Sequence, residues 1–165
     1  MKNPENFVEK IKEEGREYLL ELEKTNNFVF HGSGVELNEI VPKQAFNHSV
    51  VGEKPIEDGE PAVFASPFAD IAIFMAIINK QNIPKKLRSG FGGHLKDGEV
   101  KVKFRTTKET IDQLNDARGY VYVFNKNDFT PRSDMECMSH EPVKPVYVIK
   151  VTEKDLPIDI EIKDF

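Results

Sequence analysis

Apolar positions in the first part of the chain recur at three- and four-residue steps, with Glu, Lys and Arg between them. This is the spacing of one face of an α-helix. The recurring positions are Phe7, Val8, Ile11, Gly15, Tyr18, Leu19 and Leu22. The pattern predicts an amphipathic helix over residues 4–24 whose apolar face covers a sheet.

Two short apolar runs follow, and each is typical of a buried strand. Residues 28–30 predict a strand that ends directly at His31-Gly32-Ser33-Gly34, and residues 62–65 predict a second strand. Residues 42–60, with two prolines and two glycines, predict a long surface loop between the two. Residues 67–80 are apolar on nearly every side, so we expect a helix packed on two faces, with Ser66 as its N-cap and Pro67 at its first position.

The second half of the chain contains more strands than helices. Residues 81–98, rich in glycine and basic residues, predict a loop. Thr106 or Thr107 is expected to cap a short helix that ends near Asn115. The predicted strands are residues 100–105, 119–124, 146–151 and 157–162. The first is expected to be half exposed, the third has the strongest pattern, and the last is expected to be an edge strand. Because strands and helices alternate without a regular βαβ order, we expect an α+β fold with largely antiparallel pairing.

Length and composition favour one globular domain. The chain has 165 residues, of which 39% are hydrophobic and 31% charged. We expect a single domain over 1–165, with the N-terminal helix in 1–24 and the sheet core in 25–165. The net charge of −5 gives no field that attracts polyanions, so general nucleic-acid binding is not expected.

The cysteine count and the hydropathy pattern bear on location. Cys137 is the single cysteine, which excludes an internal disulfide and favours a reducing compartment. No segment approaches the ~20 apolar residues that span a bilayer, and charges interrupt every apolar run near the N-terminus. We therefore expect a cytoplasmic protein with neither a signal peptide nor a membrane partner.

The candidate chemistry is a constellation of short segments, since GxxxxGK, GxGxxG, HExxH and GxSxG motifs are all missing. His31-Gly32-Ser33 follows one predicted strand, and Phe64-Ala65-Ser66 ends another. Glu136 lies just before a late pair of strands, between Met135 and Cys137, where an inward-facing carboxylate is costly unless it is paired or used.

These segments resemble motifs of the ADP-ribosyltransferases, in the branch of diphtheria toxin and the poly(ADP-ribose) polymerases. Residues 28–33 resemble that branch's strand with its His-Gly-Ser or His-Gly-Thr motif. Residues 61–66 resemble the second motif, where an aromatic residue stacks on nicotinamide. Phe64 supplies the aromatic ring in one alignment, and Val63 takes that position in another. Residues 135–151 are similar to the catalytic-glutamate strand, its turn and the following strand.

The resemblance implies two small, mostly antiparallel sheets that form a cleft for NAD, with flanking helices. NAD would be the substrate, and ADP-ribose would pass to an acceptor that the sequence does not identify, or to water. Glu136 and His31 would be catalytic, since a carboxylate stabilises the positive charge that develops on the ribose and an imidazole orients a ribose hydroxyl. The cofactor-binding residues would be His31, Gly32, Ser33, Phe64 and Ser66.

Other interpretations of the same residues stay open. One is a module that binds NAD, ADP-ribose or a protein without turnover, and another is an RNA 2'-phosphotransferase-like enzyme that uses several arginines and histidines. His31 is also compatible with a purely structural hydrogen bond, and Phe64 with a core side chain. Cys137, His140 and Glu141 have a metal-like spacing, but one cysteine makes a zinc site improbable, so no metal is expected. Residues 90–94 are compatible with a phosphate-binding loop or a solvated one.

Overall fold

The computed structural model describes residues 9–10, 15–37, 39–44, 46–47, 56–57, 59–83 and 88–163. The helices are α1 (Gly15–Lys24), α2 (Ala69–Ile77) and α3 (Lys108–Asp112), with 3₁₀ turns at Lys126–Asp128 and Glu153–Asp155. The strands are β1 (Glu9–Lys10), β2 (Phe28–Ser33), β3 (Phe46–Asn47), β4 (Ile56–Glu57), β5 (Val63–Ala65), β6 (Gly90–Lys96), β7 (Glu99–Thr106), β8 (Arg118–Asn125), β9 (Thr130–Pro131), β10 (Cys137–Ser139), β11 (Tyr147–Thr152) and β12 (Ile160–Ile162).

The described strands form small sheets in an α+β arrangement, as the sequence predicts. The largest has the order β1-β11-β8-β2, with β1 parallel to β11 and the other pairs antiparallel. A second sheet has the order β5-β10-β9, and an isolated bridge from Phe30 to Ser66 connects it to β2. A third has the order β12-β7-β6, and β3 pairs with β4. The expectation of two sheets was therefore too simple for the described strands.

Helix α2 packs directly on the backbone of the largest sheet. A Cβ added to Gly32 on β2 would lie 1.9 Å from the carbonyl oxygen of Ala72, and one added to Gly119 on β8 would lie 2.1 Å from that of Ala76. Since no side chain fits in such gaps, both strands need glycine at these positions. Successive residues of a strand point to opposite faces, so His31 points away from α2.

Helix α1 is fixed to the beginning of α2 by charged side chains. The guanidinium of Arg16 donates Nε and Nη2 hydrogen bonds to the two carboxylate oxygens of Asp70, at 2.8 and 2.9 Å. Glu23 accepts the backbone N–H of Ala69 at 2.7 Å and so satisfies one of the unpaired amides that begin α2. The predicted burial of α2 is confirmed, since most of its side chains are buried.

Several predicted boundaries were wrong. Glu9–Lys10 is a strand and the helix begins at Gly15, while Phe7, Val8 and Ile11 lie outside the described residues. Helix α2 begins at Ala69 after Phe68 as N-cap, because the Ser66 hydroxyl accepts the N–H of Phe68 in a turn that precedes the helix.

Two predicted loops contain strands. In the predicted loop over 42–60, β3 pairs with β4 and Lys43 bridges to Ala62, while residues 45, 48–55 and 58 lie outside the described part of the chain. In the predicted loop over 81–98, residues 90–96 form β6, which pairs along its whole length with β7. Thr107 is the N-cap of α3, where its hydroxyl accepts the N–H of Thr110. This helix ends at Asp112, three residues before the predicted end near Asn115.

Among the residues that the structure describes, none of the helices combines the length and the apolar character needed to cross a membrane.

Candidate functional site

A cavity of about 600 Å³ opens between β2, β5, helix α2, the segment 35–44 and the loop that precedes β10. Its walls include every site residue that the sequence singles out: His31, Gly32, Ser33, Phe64, Ser66 and Glu136. These residues come from three segments that are separated by 30 or more positions in the chain. The fold therefore brings an imidazole, an aromatic ring and a carboxylate to one cavity.

His31 lies inside strand β2, and one of its ring nitrogens is already bonded to the second sheet. Its Nδ1 lies 2.6 Å from the carbonyl oxygen of Phe64. A carbonyl only accepts, so Nδ1 carries the proton and the Nε2 of the neutral ring keeps its lone pair. Burial lowers the pKa of His31; the bond to Phe64 raises it and the charge of Lys43 lowers it further, and the net pKa lies below the ordinary value. His31 is therefore a neutral hydrogen-bond acceptor at neutral pH.

The glycine and serine that follow His31 both make contacts within the protein. Gly32 is required by the close approach of Ala72, so the absence of a side chain there is explained by packing of α2 rather than by approach of a ligand. The hydroxyl of Ser33 donates to the carbonyl of Val35 at 2.9 Å and accepts the N–H of the same residue at 3.2 Å. Ser33 therefore stabilises the turn after β2, and a ligand would find its hydroxyl proton engaged.

Phe64 is partly buried, and a cation lies over its ring. The guanidinium carbon of Arg132 lies 5.4 Å from the ring centroid, within the range of a cation–π contact. Phe64 pairs with Met138 across β5 and β10, whereas the neighbouring Ala65 and Cys137 face the core. Phe64 is thus in the cavity wall, and Arg132 is a site residue that the sequence interpretation did not include.

Glu136 lies just before β10 and forms an ion pair with Arg132. Its Oε1 accepts a hydrogen bond from the Arg132 Nη1 at 3.1 Å, and the backbone N–H groups of Arg132 and Ser133 bond to its carbonyl oxygen. The Glu136 side chain is 43% exposed. Because the side chain is partly exposed and paired with Arg132, the cost of an inward-facing carboxylate gives no argument for a function of Glu136.

The rest of the cavity wall is mainly apolar. Val35, Val41 and Met75 belong to the large hydrophobic side chains that remain exposed, and all three line this cavity. Tyr122, buried beside His31 with ring centroids 6.4 Å apart, accepts the N–H of Leu37 at 2.5 Å and so positions the segment 35–44. Glu39, Lys43 and Gln44 add polar groups to this wall. The sequence did not indicate that residues 35, 37 and 39–41 line the cavity, because neither the length nor the composition of this part of the chain shows which strand it covers.

A second cavity of about 400 Å³ lies next to the first and shares Ser133 and Glu136 with it. Val29, Phe129 and Cys137 line this second cavity. Burial raises the pKa of the Cys137 thiol to about 12, and its Sγ donates to the carbonyl of Ala65 at 3.3 Å. Cys137 is therefore a protonated wall residue and not a nucleophile.

Two other candidate sites are not brought together. Cys137 is buried, whereas His140 is exposed and its Nδ1 bonds to the carbonyl of Pro61 at 3.0 Å. Within the described ranges, no group of three or more His, Cys, Asp and Glu side chains is placed to hold a metal ion. The segment 90–94 is an extended strand, so its amides do not form the curved nest that binds phosphate.

Comparison of the chain with protein-family models, with curated proteins and with solved structures finds no match. The geometry of the cavity is therefore the basis on which a function is proposed.

Proposed function

We propose that the chain is an ADP-ribosyltransferase-like domain that binds NAD in the cavity at His31 and transfers its ADP-ribose to an acceptor or to water. The observation that carries the proposal is that His31, Phe64 and Glu136, from three separate segments, line one cavity. The resemblance of the three sequence motifs also predicts that these three residues lie together.

The cavity has the size and polarity of a small-molecule site. Its volume of about 600 Å³ lies within the ~300–1,000 Å³ of such sites, and a mainly apolar wall with a few polar groups is typical of them. The ring of Phe64 and the exposed side chains of Val35 and Met75 suit a flat ring such as nicotinamide or adenine.

The hydrogen-bonding state of His31 suits a ribose. Because its Nδ1 donates to Phe64, its Nε2 is an acceptor for a ribose hydroxyl. The lowered pKa keeps the ring neutral at neutral pH, so it places no positive charge beside a sugar ring that becomes positive in the transition state. His31 therefore orients the ribose without opposing the chemistry.

Glu136 supplies the negative charge that the reaction needs. When the bond between nicotinamide and ribose breaks, its electron pair leaves with nicotinamide and the ribose becomes an oxocarbenium-like cation. A carboxylate beside that cation stabilises it, by about 3 kcal/mol for a well-placed group. Arg132 holds the Glu136 carboxylate at the cavity edge until substrate binds.

A second candidate function is binding of NAD or ADP-ribose without turnover. The ion pair between Arg132 and Glu136 favours it, because the guanidinium neutralises the carboxylate and lies over the ring of Phe64. An RNA 2'-phosphotransferase-like reaction is less well supported, since it uses several arginines, and among the described residues Arg132 at the cavity edge is the one arginine bonded to a residue of the cavity wall.

A thermal-shift series with NAD, ADP-ribose and nicotinamide tests the binding part, because a ligand that binds only the folded form raises its stability, by about 2.7 kcal/mol at a hundredfold excess over Kd. Release of nicotinamide from NAD, measured by chromatography, tests turnover. Binding with release supports the transferase, and binding without release supports the second candidate. Absence of both would contradict the proposal.

A further inference from the structure

Strand β6 is an edge strand whose outer backbone groups have no partner in the described part of the chain. It pairs with β7 on one side, and no described segment adds to it on the other. All seven of its residues are in extended backbone, and most are exposed. Such a row of N–H and C=O groups is a template for another strand.

One face of this sheet carries a row of cations beside that edge. Lys101, Lys103 and Arg105 alternate along β7 and are exposed, and Lys101 is already paired with Glu99 at 3.0 Å. In the β6–β7 register, Lys103 is opposite Gly92 and Arg105 is opposite Gly90. Directly opposed residues share a face of the sheet, so the two cations lie beside positions without side chains.

The glycines open a path from these cations to the free edge. A Cβ added to Gly92 would meet nothing within 4 Å, and one added to Gly90 would lie 3.7 Å from the Nε of Arg105. The Arg105 side chain therefore already extends across Gly90. A strand added beyond β6 would lie about 10 Å from β7, two strand spacings, which the long side chains of Lys and Arg cover when they lean over glycine.

The opposite face beside the same edge is apolar. Phe91 packs against Phe104 and Phe74, and Leu95 is 74% exposed. A strand that pairs with β6 would meet cations on one face and apolar side chains on the other. Because strand side chains alternate between faces, the matching partner alternates acidic and apolar residues.

We propose that β6 binds an extended peptide with alternating acidic and apolar residues, which adds a strand to the sheet. The inference is separate from the proposed function, because the binding surface does not use His31 or Glu136 and shares only Phe91 with the described lining of the cavity. Charge disfavours a second copy of this chain as the occupant, since pairing of two β6 edges would place two cation rows on the same face of one sheet. A nucleic acid fits less well because His94 is the one aromatic ring among the described residues of this face, whereas base stacking uses a series of rings, and the net charge of −5 repels polyanions.

The probe is an acetylated and amidated peptide of about nine residues in which Glu alternates with Val. Three related ligands separate the explanations: the same peptide with Lys in place of Glu, the Glu peptide with N-methyl groups on alternate amides, and an oligodeoxythymidine. We expect the Glu peptide to bind and to slow hydrogen exchange at the amides of residues 90–96. The other three ligands should bind at least roughly tenfold more weakly.

Two charge reversals test the cation row. Lys103→Glu with Arg105→Glu should weaken binding of the Glu peptide roughly tenfold, because the two cations opposite Gly92 and Gly90 become repulsive to it. The control is the double variant Lys144→Glu with Lys154→Glu. It changes the net charge by the same amount at exposed positions outside this sheet, and it should leave the affinity within roughly twofold. Failure of the Glu peptide to bind, equal binding of the N-methylated or Lys peptide, or preference for the oligonucleotide would each overturn the proposal.

Discussion

The Nδ1 of His31 lies 2.6 Å from the carbonyl oxygen of Phe64, so two residues 33 positions apart in the chain are joined at the wall of the cavity. This bond couples the strand that carries the His-Gly-Ser motif to the strand that carries the aromatic ring. It also fixes the tautomer of His31, because the proton is on Nδ1 and the lone pair is on Nε2.

The lowered pKa of His31 predicts a contribution to the pH dependence of stability. The unfolded chain takes up a proton at the ordinary value near 6.5, and the folded chain takes it up only at lower pH. Between those two values the unfolded state binds more protons, so stability falls as the pH falls through this window. We expect His31→Asn, whose amide can still donate to Phe64, to lose less free energy of unfolding between about pH 7.5 and about pH 5 than the parent chain. Urea unfolding at both pH values measures this, and equal losses in the two proteins would contradict it.

Gly32 is predicted to be intolerant of any side chain. In Gly32→Ala the new Cβ would lie 1.9 Å from the carbonyl oxygen of Ala72, so α2 or β2 must shift. We expect a loss of about 3 kcal/mol in the free energy of unfolding, or failure to fold. Gly92→Ala is the matched control, because its Cβ meets nothing within 4 Å, and should change stability by less than about 0.5 kcal/mol. Equal stability of the two variants in urea unfolding would show that α2 does not pack on β2 as described.

Arg132 is predicted to compete with a ligand for the ring of Phe64. Its guanidinium lies 5.4 Å from the ring centroid, where a stacked nicotinamide would lie. Arg132→Ala uncovers that face, so we expect nicotinamide to bind about fivefold more tightly, the equivalent of about 1 kcal/mol for a cation–π contact. Titration followed by ligand-observed NMR measures the Kd. Arg132→Lys, which keeps a cation but not the planar group, should give an intermediate value; weaker binding to Arg132→Ala would mean that the arginine contacts the ligand.

The sequence predicted the strands with strong apolar runs and failed where pairing with a neighbouring strand overrides a loop-like composition. Residues 119–124 lie in β8, and residues 147–151 of the predicted strand 146–151 lie in β11, because their β-branched and aromatic residues fill the core. Residues 90–96 have the composition of a loop, and they become β6 because β7 provides a partner along their whole length. Local preference was overridden there by tertiary pairing.

The same limit applies to the site. The motifs indicated which residues meet at the cavity, and all six line it. They could not indicate that Phe64 binds His31 through its backbone, or that Arg132 pairs with Glu136, since neither contact leaves a periodic pattern. The motifs also could not indicate that helix α2, from residues 69–77, approaches Gly32 and requires glycine there.

The proposed catalytic role of Glu136 is tested by measuring how fast the parent chain and Glu136→Gln release nicotinamide from NAD. The amide keeps the shape of the side chain and removes its charge, so NAD should still bind while release falls about 100-fold. Glu141→Gln, an exposed glutamate outside the described cavity wall, should release nicotinamide at the parent rate. Equal rates of nicotinamide release by the parent chain and Glu136→Gln would mean that the Glu136 carboxylate does not act in the reaction.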